Sequence, residues 1–146
     1  MGLETVQMNE HIQRGVDNEF QAIFEYSVEA GVWVDEAFLV CHPAHNWLAA
    51  SCDGFVGDDG VVEIKCPITI KFEPPAYHLA QIQGQLEITD RDWCDYVQFC
   101  DGKISEPIRI VRDREWWERA LPVLERFWRY VQDMDPPPRG SCKMPD

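Results

Sequence analysis

Ile12, Val16, Phe20, Ile23, Phe24 and Val28 recur at helical spacing and predict a helix over residues 9–30. Asn9 is placed to cap its start and Gly31 to end it. Residues 32–40, rich in Val, Phe and Leu, read as a strand. His42-Pro43-Ala44-His45-Asn46 is a loop, and residues 47–56 a second strand. Gly57-Asp58-Asp59-Gly60 is a turn into a third strand, 61–66, which Pro67 stops. These strands predict an antiparallel meander. A loop with two adjacent prolines follows, and then a helix over 76–89 with Leu79, Ile82 and Leu86 on one face. Residues 94–100 and 104–112 read as strands joined at Asp101-Gly102. The last helix, 113–133, starts at Asp113 and repeats Trp117, Leu121, Leu124, Trp128 and Val131. Pro122 inside it predicts a kink or a break. Residues 134–146, with Pro136-Pro137-Pro138 and little apolar content, are expected to be a tail without fixed structure. The order helix, three strands, helix, two strands, helix implies one α/β domain over 1–133, a mixed sheet flanked by helices.

Composition narrows the class. The chain has 146 residues and 45% apolar content, enough for one hydrophobic core. No apolar run has the length of a membrane span, and no basic stretch precedes an apolar one at the start. A cytoplasmic protein is therefore expected. The six cysteines form no CxxC pair, which disfavours a zinc ribbon; most are expected to be reduced, buried thiols. A net charge of −13 argues against indiscriminate coating of nucleic acid. The charge is uneven: residues 1–73 carry 3 basic and 13 acidic side chains, and residues 74–146 carry 10 and 13. An enzyme with a local basic groove is compatible with that balance, and acid surplus suits a protein that concentrates divalent cations.

The chemistry concentrates in Ser51-Cys52-Asp53-Gly54 and Gly60-Val61-Val62-Glu63-Ile64-Lys65-Cys66-Pro67. Strand alternation puts Val62 and Ile64 on one face, Glu63 and Lys65 on the other. Asp53 lies across the hairpin and can meet Glu63. Two crowded carboxylates repel, and burial sharpens the conflict. A hard divalent cation such as Mg²⁺ or Mn²⁺ resolves it, and can activate water and neutralise phosphate charge. Lys65 can orient water or stabilise charge building on phosphorus. Taken alone, this spacing also fits a solvated face of an amphipathic strand.

Residues 51–67 resemble the lambda-exonuclease or YqaJ-type viral recombinase family of the PD-(D/E)xK nuclease superfamily. The family pattern is close to S-P-D-G, a short hairpin, then E-[IL]-K-C-P. The likeness extends to Gly15…Glu19…Ala22…Phe24-Glu25-Tyr26, to Ala80-Gln81-Ile82-Gln83, and to Ile88-Thr89 with Trp93…Tyr96-Val97, covering roughly residues 12–131. Cys52 stands where the family has proline. The family also places a longer segment, including an arginine that holds the terminal 5′-phosphate, ahead of the helix that here starts near Met1. The resemblance implies a restriction-endonuclease-like core. It implies metal binding by Asp53, Glu63 and the Ile64 carbonyl, a catalytic Lys65, Glu19 as an accessory acid on one or two Mg²⁺ (or Mn²⁺) ions, and Gln81 near the scissile phosphate. It further implies 5′-to-3′ hydrolysis of duplex DNA ends in phage or prophage recombination within a bacterial cell. A homotrimer and a single-strand annealing protein partner belong to the same expectation.

Other residues carry weaker signals. Lys71 and His78 are candidate DNA contacts by their nearness to the motif and to Gln81. His42 and His45 read as loop histidines. The arginines Arg109, Arg112, Arg114, Arg119, Arg126 and Arg129 give the second half its positive character and are expected to pair with Glu115, Glu118 and Glu125 of the last helix. Alternatives are an endonuclease, an iron–sulfur nuclease of the CRISPR-adaptation type, which Cys142 alone supports poorly, or a silent DNA-binding module.

Overall fold

The computed structural model describes residues 10–146, with side chains from residue 18 onward. The expected cap Asn9 and the side chains of Ile12 and Val16 lie outside the described residues. Eleven elements follow in order: α1 (Glu10–Ala30), β1 (Val34–Glu36), β2 (Val40–Cys41), β3 (Ala49–Ala50), β4 (Gly54–Val56), β5 (Gly60–Lys65), α2 (Ala76–Thr89), β6 (Trp93–Cys100), β7 (Lys103–Ile104), β8 (Ile108–Val111) and α3 (Arg114–Asp133).

The main sheet runs β1-β4-β5-β6, with β7 and β8 both pairing with β6. β1, β4 and β5 are antiparallel neighbours. β5 and β6 are parallel, so α2 serves as the crossover between them and the sheet is mixed. Each expected strand of 32–40 and 47–56 divides in two, and the pieces β2 and β3 pair separately. The second division falls at Ser51-Cys52-Asp53. There the Asp53 carboxylate, not a neighbouring backbone carbonyl, accepts the Ile64 N–H at 2.6 Å. The expected strand 104–112 also divides, around Pro107, which has no N–H to donate to a ladder.

One apolar cluster joins Val62, Ile64, Val97 and Phe99 to Ala22 and Tyr26 of α1. The other joins Val61, Cys94 and Tyr96 to Ile82 and Leu86 of α2. Helices thus cover both faces of β5 and β6, and the two strands are buried along nearly their whole length. α1 is rotated from the sequence expectation: Ala22 and Tyr26 face the sheet, while Phe20, Phe24 and Val28 are exposed. The small Ala22 allows close approach, and the Tyr26 hydroxyl donates to buried Asp95 at 2.7 Å. Hydrophobic periodicity alone cannot weigh that polar anchor.

Three further expectations change. α3 continues through Pro122 without a break, with the proline on its exposed side. Residues 134–146 lie back along α3: the Trp116 indole donates to the Pro145 carbonyl, Arg126 donates to that of Ser141, and Met144 packs against the Trp116–Trp117 cluster. Of the six cysteines, only Cys52 and Cys94 are buried, and none is in a disulfide. No described helix is long and apolar enough to cross a membrane.

Candidate active site

Glu63 sits in β5 on the face covered by α2, 2% exposed. A carboxylate so deeply buried requires partners, and it has three. The Lys65 ammonium donates to Oε1 at 2.6 Å, the Gln81 amide donates to the same oxygen at 2.8 Å, and the Gln85 amide donates to Oε2 at 2.8 Å. Lys65 also donates to Gln81 Oε1 at 3.2 Å. Strand alternation puts Glu63 and Lys65 on one face, and one helical turn puts Gln81 and Gln85 above them.

Asp53 enters from the segment before β4. Its bond to the Ile64 N–H fixes it across the hairpin from Glu63. Burial first, and then the Glu63 charge, raise the Asp53 carboxyl to about 7 despite that bond, with Glu19 adding to the rise and Lys65 opposing it. Glu19 on α1 is raised too, by burial and then by Glu63. Three carboxyl groups therefore share one electrostatic neighbourhood with a single ammonium.

The hairpin is held from behind. The Arg91 guanidinium donates to the carbonyls of Gly57 and Gly60, each at 2.8 Å, and stacks over Phe55 with 4.2 Å to the ring centroid. At Gly54 a side chain would collide with Val34 and Val62, so glycine there lets β1, β4 and β5 close up beside Asp53.

The structure brings together Asp53, Glu63, Ile64, Lys65 and Gln81, with Glu19 at the edge in electrostatic reach. Lys71 and His78 stand to one side. With Lys65, Tyr77 and Tyr96 they line a cavity of about 260 Å³. The His78 ring bonds the Tyr96 hydroxyl at 3.0 Å, and burial first, then Lys65, hold its pKa below the usual histidine value. The Lys71 backbone is gripped at both ends by the buried Gln98 amide, at 2.9 and 2.7 Å, which shapes the loop leaving Lys65.

Sequence reasoning missed Gln85, Gln98 and Arg91. Gln81 and Gln85 stand four apart on the helix expected above Glu63, which is the one signal that could have found Gln85. Gln83 proves structural: it donates to the Val111 carbonyl and accepts the Asp113 N–H, tying α2 to the start of α3. His42 accepts the N–H groups of Ala44 and His45, a loop role. Among the described residues the arginines of α3 form no ion pair with its glutamates. The ion pairs instead cross the fold, Arg109 to Asp95 and Arg112 to Glu87 and Asp90.

The donor set of Asp53, Glu63 and the Ile64 carbonyl consists of hard oxygens, and the crowding that raises Asp53 is what a divalent cation would relieve. Among the described residues no three His, Cys, Asp or Glu side chains converge as a ready cage. A cation here would therefore take two carboxylates, a carbonyl and water, a set that suits Mg²⁺, which keeps several of its waters.

Known proteins share this fold. The alkaline exonuclease from Laribacter hongkongensis superimposes with a TM-score of 0.80 at 33% identity, over 89% of this chain and 73% of that one. Its complex with dAMP gives 0.81 at 32% identity, over 91% and 73%. A phage-related exonuclease from Haemophilus somnus shares the fold, with a TM-score of 0.64 at 19% identity, over 92% of this chain and 78% of that one. A protein of Acanthamoeba polyphaga mimivirus is 29% identical over 110 residues; the match takes in 62% of this chain and about a fifth (20%) of that protein. The YqaJ-like viral recombinase domain matches residues 1–92, well over half of the sequence. The chain belongs to the YqaJ-like viral recombinase domain family.

Proposed function

We propose that the protein is a divalent-metal-dependent DNA nuclease, an exonuclease that digests duplex ends from 5′ to 3′. The observation that supports this most is the buried Glu63 placed beside Asp53 and Lys65, in a fold shared at 33% identity with an alkaline exonuclease.

Asp53, Glu63 and the Ile64 carbonyl would hold one or two Mg²⁺ or Mn²⁺ ions, with Glu19 as an accessory acid. Such an ion supplies charge neutralisation on the phosphate and a more acidic water. The protein's own groups do the rest. Gln81 and Gln85 keep the Glu63 carboxylate in one orientation. Lys65, 25% exposed at its side chain, reaches both the carboxylate and the open side of the site. It can orient the attacking water and stabilise the added charge on the phosphoryl oxygens. Water oxygen bonds to phosphorus and gives up a proton to solvent, the P–O bond to the leaving sugar breaks, and the departing oxygen takes a proton from solvent. Lys71 and His78 line the cavity beside Lys65 and would contact the DNA backbone. Recombination of phage or prophage DNA in the bacterial cytoplasm, as a homotrimer working with a single-strand annealing protein, is the setting this reading favours.

The test is incubation with linear and circular duplex DNA, end-labelled at 5′ or 3′, with Mg²⁺ or with EDTA. Loss of linear DNA only, with Mg²⁺, and early release of the 5′ label is expected. Nicked circles would make the enzyme an endonuclease, and no metal-dependent cleavage of either would overturn the proposal.

A further inference from the structure

Gln85 is 3% exposed, in the middle of α2. Its amide nitrogen donates twice, to Glu63 Oε2 at 2.8 Å and to the Ser51 carbonyl at 2.9 Å. Its own oxygen is buried with no hydrogen-bond partner in the structure. Turning the amide over would not cure this, since the oxygen would then face a carboxylate and a carbonyl, both acceptors. The side chain is thus fixed by its two donations, and the stranded oxygen is a desolvation cost left uncompensated. Packing alone would be served better at this position by Leu or Met.

What the two donations accomplish is specific. Ser51 lies two residues before Asp53, and Glu63 faces Asp53 across the hairpin. One amide therefore ties the segment carrying one carboxylate to the side chain carrying the other. It does so without charge. Lys65 on Oε1 offsets the negative charge of Glu63, but a neutral amide on Oε2 orients the carboxylate and leaves its charge available to a cation.

We propose that Gln85 is a positioning residue that sets the placement of Glu63 relative to Asp53, and so sets the affinity of the site for a divalent cation. This rests on the nuclease reading above, yet it can fail separately. Thr89 donates to the Gln85 backbone carbonyl, a contact that survives substitution of the side chain.

The test uses Gln85→Met, which keeps the bulk and removes both donations, and Gln85→Asn, which keeps an amide too short to span both acceptors. Mn²⁺ binding is measured by calorimetry in the full chain without DNA, so that it is read without turnover, for wild type and both variants. Cleavage of linear duplex is measured in the otherwise unchanged protein. Both variants should bind Mn²⁺ about 10- to 100-fold more weakly. They should lose kcat at fixed Mg²⁺ in similar proportion, keep KM for DNA within about twofold, and regain part of kcat as Mg²⁺ is raised. A role in packing alone would shift the melting temperature with no change in Mn²⁺ affinity per folded molecule, and that result would overturn the proposal. If Gln85→Met fails to fold, Gln85→Asn decides it by the same readings. Unchanged affinity in the variants with active wild type sinks only the positioning role. Wild type that binds Mn²⁺ without cleaving sinks only the nuclease reading, and wild type that binds no metal sinks both.

Discussion

Two neighbouring strands each bury an acid, and the two acids are treated in opposite ways. Asp95 on β6 is 5% exposed and fully matched: Arg109 donates to both its oxygens at 2.8 and 2.9 Å, and Tyr26 adds a third bond at 2.7 Å. The Arg109 guanidinium also lies 3.8 Å from the centroid of Trp93. Glu63 on β5, as deeply buried, is held by two neutral amides and one lysine, with Asp53 and Glu19 crowding the same space. A fixed counter-ion makes Asp95 an anchor for α1. A surplus of acid gives the Glu63 neighbourhood a conflict that an arriving cation would relieve. Burial alone does not separate structural acids from chemical ones; the balance of charge around them does.

The largest expected effect breaks this contrast at its chemical end. Glu63→Gln should lower cleavage by roughly a thousandfold or more, the scale of losing a group that acts on transition-state charge. Stability should stay within about 1 kcal/mol, because a crowded charge is removed along with its bonds; urea unfolding beside the cleavage assay reads both. Asp95→Ala should do the reverse. It leaves Arg109 and Tyr26 without their shared acceptor and should cost about 2–3 kcal/mol in urea unfolding, since Arg109 is 56% exposed at its side chain and partly screened. Cleavage per folded molecule should remain within a few fold, and a thousandfold loss there would erase the distinction between the two acids.

Acidity sharpens the comparison. The Asp53 carboxyl, raised to about 7, binds its proton more tightly in the fold than in the unfolded chain, where it titrates near 4. Its contribution to stability is therefore complete below about pH 4 and is lost as pH rises towards 7. Metal-free protein should lose about 2 kcal/mol from this source between pH 5 and pH 8, after allowance for solvent screening. The loss should shrink in Asp53→Asn, and Mg²⁺ at pH 8 should offset it in wild type only. Equal pH slopes for the two proteins in thermal melts would remove Asp53 from the crowded set. The smallest effect is Tyr26→Phe, about 1 kcal/mol, the worth of one hydrogen bond to an acid that keeps its arginine.

Much of this was legible in the chain. Alternation in residues 61–66 places Glu63 and Lys65 together, and β5 has that register against β4. The three helices and the mixed sheet follow from period and turn residues. The apolar period points to the wrong face of α1, because Phe20, Phe24 and Val28 carry the period whereas Ala22 and Tyr26 carry the contact. Strand 47–56 looks continuous in the sequence because nothing local shows that the Asp53 carboxylate takes the Ile64 N–H.

Sequence determined the hairpin, its acids and its lysine, since those depend on neighbours a few residues apart and on the two-residue repeat of a strand. Tertiary structure alone decided which buried acid is neutralised and which is left in surplus. Arg109 reaches Asp95 across strands, and Gln85 reaches Glu63 from a separate helix. Electrostatic free energy depends on distance through space, and the order of residues fixes that distance only once the chain has packed.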